Sequence, residues 1–201
     1  MLALADKIFI VPNLYIISGC NGAGKTTASF TLLPAMLDCK EFVNADEIAK
    51  GISPFQPDSV SLQAGRIMIE RIEELLNTGV DFAFETTLTT LSYVNTIKTA
   101  KEKGYSVSLL YFWLNDVNLA IERVKTRVSE GGHNIPEEVI RRRYFRGVYN
   151  LTNKFIDICD YWIVINNSSR PFTFIAEGQS SLEIKIHDTI IWEQIKTATH
   201  E

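Results

Sequence analysis

Short runs of apolar and β-branched residues recur along the chain, and most are followed by a stretch whose apolar positions are spaced three and four apart. Residues 14–18 form the first run, stopped by Gly19, and suit a strand buried on both faces of a parallel sheet. Residues 25–37 then read as a helix. Further strands are expected at 41–44, 80–86, 105–114 and 161–165. Helices are expected at 59–77, where Leu62, Ile69, Ile72 and Leu76 carry the spacing, at 91–103, and from the potential cap Asp116 through Val128. Gly79 and Gly104 close two of these helices, while Pro54 and Pro57 keep the stretch before the long one irregular. Beyond Asn166 the pattern weakens to 172–176 and 182–186, read as a small hairpin, and 190–197, read as a terminal helix.

Alternating strands and helices predict an α/β fold: a five-stranded parallel sheet with helices on both faces, and the small hairpin and helix at the C-terminal end. Right-handed crossovers place the C-terminal ends of the strands along one edge, which is where such sheets bind ligands. The 201 residues fit one domain, 1–201, with no repeat and no linker. A net charge of -4 gives no overall attraction for nucleic acid or an anionic membrane, so neither is an expected partner. Cys20, Cys39 and Cys159 are odd in number and widely separated, which argues against a disulfide framework and a zinc site. Asp6 and Lys7 divide the apolar opening, no signal-peptide pattern follows, and no apolar run approaches the roughly 18 residues needed to cross a bilayer. A cytoplasmic protein is expected.

Gly19-Cys20-Asn21-Gly22-Ala23-Gly24-Lys25-Thr26 satisfies GxxxxGK[ST] between an apolar strand and a helical stretch, the context that gives the pattern meaning. Gly19, Asn21, Gly22, Ala23 and Gly24 would turn tightly so that their N–H groups converge on phosphate oxygens at the positive end of the following helix. Lys25 supplies a mobile cation, and Thr26, with Thr27 beside it, would place its hydroxyl on Mg²⁺ bridging the phosphates. Cys20 inside this loop is either a thiol with a lowered pKa or a spacer.

Asp46 follows the second strand at the ligand edge and admits two roles, proton acceptor from a substrate hydroxyl or N-cap of a short helix through Glu47, Ile48 and Ala49. Glu85 is the only charge in Phe82-Ala83-Phe84-Glu85-Thr86-Thr87. A carboxylate at that strand end is costly unless paired, so it either holds substrate hydroxyls or metal-bound water, partly replacing a missing Walker B aspartate, or pairs with an arginine. Arg123, Arg127, Arg141, Arg142, Arg143 and Arg146 cluster around Gly131-Gly132, which reads as a hinge in a lid at about 129–150. Pro136 with Glu137 and Glu138 suits the start of a helix there, with Ile140, Tyr144, Val148 and Leu151 as its buried face. Arg142 and Arg146 would project from the opposite face, either over phosphates or as members of a solvated, ion-paired surface. His133, His187 and His200 have no partners at metal-ligand spacing.

Taken together, residues 13–27, Asn44-Ala45-Asp46, Glu85-Thr86-Thr87-Leu88, Gly131-Gly132-His133-Asn134-Ile135-Pro136, Arg142-Arg143-Tyr144 and Asn166-Asn167-Ser168 resemble the zeta-toxin-like P-loop kinases, in particular their shorter bacterial branch. The resemblance implies an adenylate-kinase-like core, ATP with Mg²⁺ as phosphoryl donor, a hydroxyl of a small molecule as acceptor, of which a UDP-activated amino sugar is one candidate, and an antitoxin protein as a partner. It further implies Asp46 as general base, Lys25 and Thr26 as phosphate and metal contacts, Glu85 as a substrate-binding glutamate, and Arg127 and Arg142 as transition-state arginines. Asn44, Thr86 and Arg143, within the same segments, are placed with Glu85 around the acceptor. Cys20 stands where a proline is common in that family, and the chain is shorter than the well-known toxins. The competing class, a P-loop ATPase or nucleotide-dependent switch acting on a protein, calls for a Walker B carboxylate and a partner-facing signature, neither of which is evident.

Overall fold

A computed structural model describes residues 11–132, 134–179 and 183–198. The opening segment, His133, Leu182 and His200, on which some sequence expectations fall, lie outside the described residues. Seven strands among the described residues form one sheet in the order β2-β3-β1-β4-β5-β6-β7. Strands β1 (Asn13–Gly19), β2 (Glu41–Val43), β3 (Phe82–Thr86), β4 (Ser106–Trp113) and β5 (Tyr161–Asn166) run parallel, as expected. The hairpin β6 (Thr173–Gln179) and β7 (Glu183–Ile186) does not stand apart: it pairs antiparallel with β5 and widens the sheet.

The parallel strands read as nearly continuous apolar runs because both faces are covered. On one face α3 (Ser61–Thr78) and α4 (Ser92–Glu102) enclose Leu14, Ile16, Phe82, Phe84 and Leu109, and the terminal helix α7 (Thr189–Thr197) lays Trp192 on Trp162 with ring centroids 5.4 Å apart. On the other face Ile17, Ala83, Phe112 and Ile165 meet α1 (Lys25–Met36) and α5 (Val117–Ser129). The buried stripe of α3 is Ala64, Met68, Ile72, Leu75 and Leu76, not the row through Leu62 and Ile69, which are 82% and 51% exposed. Helical rotation explains the difference: 64, 68, 72 and 75–76 follow the 3.6-residue period about one axis, and 62 and 69 lie off it.

β1 lies in the middle of the parallel part, with β3 on one side and β4 on the other. This reversal of strand order opens the crevice in which α/β sheets hold ligands, directly at Gly19. One helix crosses that edge. In α6 (Glu137–Asn150) Ile140 and Tyr144 belong to the core on the α1 side, whereas Val148 and the following Leu151 belong to the core on the α3 side. Tyr144 donates to the carbonyl of Leu114 at 2.6 Å and Asn150 to that of Leu88 at 2.6 Å. At Gly147 a Cβ would lie 2.7 Å from the carbonyl oxygen of Thr87, so the helix passes too close to the β3 loop for any side chain there.

Candidate active site

The loop between β1 and α1 wraps an open cradle. Gly22 and Gly24 have φ of 78° and 82°, in the left-handed region that a side chain disfavours. A Cβ on Gly22 would lie 2.6 Å from the carbonyl oxygen of Ala120, and one on Gly24 would lie 2.6 Å from the Asn167 amide nitrogen. That amide donates to the carbonyl of Ala23 at 2.8 Å, turning it away from the cradle. Arg123 in turn donates to the carbonyls of Asn167 and Ser168 at 2.9 and 3.0 Å, holding the segment after β5 against the loop. Cys20 is buried among apolar groups, and that burial pushes its thiol up to about 11 despite the nearby Lys25 cation, so Cys20 is a spacer and not a reactive thiolate.

Glu85 organises the far side. Its carboxylate pairs with Lys25 Nζ at 3.4 Å and accepts from Thr26 Oγ1 at 2.8 Å and Asn44 Nδ2 at 2.9 Å. Lys25 Nζ also donates to the Cys20 carbonyl at 3.0 Å. The carboxylate that the sequence leaves as either ligand-binding or arginine-paired is thus tied to the lysine and threonine of the phosphate loop. Asn44 also acts through its other amide atom, since Oδ1 accepts from the backbone N–H groups of Asp46 and Glu47 at 2.8 and 3.4 Å and so caps α2 (Ala45–Ile52). Capping is therefore done by Asn44, and Asp46, exposed in the first helical turn, is released from it.

Asp46 and Thr26 line one cavity of about 140 Å³ together with Arg127, Asp58 and Gly132. Of the clustered arginines, Arg127 lines that cavity, and Arg143 reaches the phosphate loop, donating to Asn21 Oδ1 at 3.1 Å. Burial holds the Arg143 guanidinium below its usual pKa, partly opposed by the Asp46 carboxylate. Arg142 and Arg146 are exposed on α6, and Arg141 pairs with Glu137 at 2.8 Å. Thr86 turns away from the cavity, accepting from the N–H of Leu88 at 3.1 Å to close the turn after β3. Thr27 lies on the other side of the phosphate loop, in an apolar groove of about 480 Å³ that also includes Gly24, Asn167, Arg170 and Phe172. Arg123 enters the sequence reading only as one of the clustered arginines, and Asp58 and Lys50 at the cavity have no motif of their own. Only the two prolines around residue 55 mark the first of them.

A glycine-rich phosphate loop at the switch point of a parallel sheet, backed by a buried lysine and a threonine–glutamate pair, defines the P-loop kinase class of fold. Residues 4–167 match the zeta toxin family, and the chain belongs to that family. It is 34% identical over 140 residues to an uncharacterised protein of Haemophilus influenzae, a match covering 69% of this chain and 97% of the relative. Among solved structures it is similar to a chain of the AvrRxo1-ORF1:-ORF2 complex with ATP, at a TM-score of 0.73 and 16% identity, covering 94% of this chain but only 64% of that one. It is similar as well to a chain of the PezAT chromosomal toxin–antitoxin system of Streptococcus pneumoniae, at a TM-score of 0.67 and 19% identity, covering 94% and 78% of the two chains. At such identities the structural likeness speaks for the fold, and family membership added to it supports a nucleotide-dependent phosphotransferase. Among the described residues no helix is long and apolar enough to cross a membrane.

Proposed function

We propose that the chain transfers the γ-phosphoryl group of ATP to a hydroxyl of a small acceptor held between α2 and the Gly131-Gly132 turn. The observation that carries this reading is that Thr26, at the phosphate side, and the uncapped, exposed carboxylate of Asp46 line one cavity. ATP phosphates fit the loop that turns at Gly22 and Gly24, where a Cβ would collide with the Ala120 carbonyl and the Asn167 amide, and the groove beside Thr27 is open to the rest of the nucleotide.

The residues present also fit Mg²⁺. A hydroxyl at Thr26 and a carboxylate oxygen at Glu85, 2.8 Å apart, match an ion that takes few protein ligands and keeps its water and phosphate oxygens. Among the described residues no group of three or more His, Cys, Asp and Glu could hold a metal by itself, and such a site does not require one. Thr26 would ligate the ion and Glu85 would hold its water. Bound there, Mg²⁺ offsets charge on the β- and γ-phosphate oxygens.

In transfer, Asp46 takes the proton of the acceptor hydroxyl as its oxygen bonds to phosphorus and the bond to ADP breaks. Lys25 exchanges the Cys20 carbonyl and Glu85 for phosphate oxygens. Arg127 in the cavity and Arg143 above Asn21 face the transferred group, whereas Arg142 would need a rearrangement of α6 to do so. Residues 1–201 act as one domain in this scheme. Because α6 is anchored in both cores, we place lid movement in the turn at Gly131-Gly132 and not across the whole of 129–150. An antitoxin partner belongs to the same proposal, supported by the likeness to the pneumococcal toxin–antitoxin protein, and so does a cytoplasmic setting.

The test is incubation with γ-labelled ATP, Mg²⁺ and a cell metabolite extract, followed by mass spectrometry for a new phosphorylated species. Lys25→Ala should abolish it, because it removes the cation beside the phosphates. An extract in which only ADP and inorganic phosphate accumulate, or undiminished transfer by Lys25→Ala, would overturn the kinase reading.

A further inference from the structure

Three residues of α6, Arg143, Gly147 and Asn150, follow one another at the four- and three-residue spacing that places side chains on one helix face. Each meets the ligand edge of the sheet. Arg143 donates to Asn21 Oδ1 in the phosphate loop at 3.1 Å. Gly147 lies against the loop after β3, where a Cβ would stand 2.7 Å from the Thr87 carbonyl oxygen. Asn150 donates from Nδ2 to the Leu88 carbonyl in that same loop at 2.6 Å. The stripe therefore runs from the end of β1 to the end of β3, and its first member alone reaches the phosphate loop.

The Leu88 turn is a strained anchor. Leu88 is fully buried and has a φ of 57°, in the left-handed region that a side chain disfavours. Such a backbone persists only where its surroundings fix it. Here its N–H donates to Thr86 Oγ1 at 3.1 Å and its carbonyl accepts from Asn150. Asn150 is itself only 4% exposed, and an amide in that position costs free energy unless it is bonded. Packing beside Val148 and Leu151 would be served by an apolar side chain, so the bond to Leu88 is what the amide adds.

That bond also fixes the helix. Apolar contacts hold α6 against the two cores, but they are not directional. Two side-chain hydrogen bonds are: the Tyr144 phenol on the Leu114 carbonyl beyond β4, at 2.6 Å, and Asn150 on the Leu88 carbonyl beyond β3. With the first alone α6 can turn about Tyr144, and the guanidinium of Arg143, at the end of a long side chain, moves with it. A slip of one residue along the axis is about 1.5 Å, enough to take a 3.1 Å hydrogen bond to Asn21 out of range.

We propose that Asn150 is a positioning residue for phosphoryl transfer: by tying α6 to the Leu88 turn it fixes Arg143 over the phosphate loop, and it acts on the rate through that arginine. This rests on the kinase reading above, with Arg143 as a donor to the transferred group.

The parent, Asn150→Leu, Arg143→Ala and the double variant are each incubated with γ-labelled ATP at saturation, Mg²⁺ and the same metabolite extract, and the initial rate of labelled product is read. Asn150→Leu keeps the volume and removes the donor. It should slow product formation about 10- to 100-fold, the scale of an ångström of misplacement. ATP affinity by calorimetry should stay within about threefold, as for a group that acts in the transition state. In the Arg143→Ala background the same change should cost about twofold or less, because the side chain it positions has gone, whereas independent effects multiply. Gly147→Ala, which presses a Cβ onto the Thr87 carbonyl with Asn150 intact, should give both results again, and it carries the test if Asn150→Leu does not fold. An equal fold loss in the two backgrounds, or no loss in the first, overturns the positioning role and leaves the kinase reading standing. A loss that follows the melting temperature whether or not Arg143 is present is the purely structural result and likewise overturns it. No labelled product from the parent sinks both readings.

Discussion

The hydroxyl of Thr26 donates to the carboxylate of Glu85 at 2.8 Å, joining the first turn of α1 to the end of β3 across 59 residues of sequence. The same oxygen takes the amide of Asn44, and the other faces Lys25. One carboxylate thus holds the threonine and the lysine of the glycine-rich loop and the residue that caps α2.

Glu85→Gln should therefore act through Mg²⁺. The amide keeps the size and one acceptor but cannot hold metal-bound water with a full charge, and loss of such an outer partner costs about 10- to 100-fold in metal affinity. The half-saturating Mg²⁺ concentration for transfer should rise by that factor, while ATP binding without metal, read by calorimetry, stays within a few fold. An unchanged Mg²⁺ titration would place Glu85 with the acceptor instead.

Arg143 and Arg142 are adjacent in sequence and differ in position: Arg143 is bonded to Asn21 of the phosphate loop, whereas Arg142 is exposed. Arg143→Ala should lower kcat by about 100-fold or more, the scale of a lost transition-state donor, with a smaller change in ATP affinity. Arg142→Ala should lie within about threefold of the parent, well short of that loss. The reverse order in single-turnover assays would show that α6 rotates on binding and carries Arg142 inward.

Away from the site, Glu177 on β6 is held down to about 2 by the phenol of Tyr161, then by His187 and Lys185. A carboxylate depressed on folding contributes stability that is present above its unfolded value of 4.5 and is lost as pH falls towards 2. Urea midpoints measured between pH 6 and pH 2.5 should fall across that window, and Glu177→Gln should flatten the fall. Parallel curves for the two proteins would show that the cluster at the sheet's antiparallel end does not report on folding.

Much of this is legible in the sequence because it is local. The phosphate loop needs a strand, a glycine turn and a helix in succession, and all three carry their signals within residues 14–37. Glu85 stands out because a lone charge ends an apolar strand. What depends on distant contacts is not legible. The apolar stripe of α6 predicts one facing body, but Ile140 and Tyr144 meet one core and Val148 and Leu151 the other, since spacing along a helix does not say what it crosses. Asn44 and Asp46 are both able to cap α2, and two residues of boundary decide between them. Thr86 is grouped with Glu85 by sequence, yet alternate residues of a strand point to opposite faces, and its hydroxyl closes the next turn.

That capping outcome sharpens the test of Asp46. Because Asn44 Oδ1 accepts from the N–H groups of Asp46 and Glu47, Asp46→Asn leaves the cap untouched and removes only a carboxylate from the first turn of α2. The expected loss of stability is that of one charge at a helix N-terminus, about 0.3–1 kcal/mol. ATP affinity should also hold, since the phosphate loop and Lys25 are unaltered. Transfer should nevertheless slow by roughly 100-fold or more, the scale of a lost proton acceptor. The measurement is single turnover with acceptor at saturation, so that slow product release cannot mask the chemical step. Raising the pH should not rescue the variant, because an amide cannot take the acceptor's proton at any pH. If the rate stays within about threefold of the parent, far short of the loss of a general base, Asp46 has no part in proton transfer, and the deprotonating group must be sought among Glu47 and Asp58 on the same cavity wall.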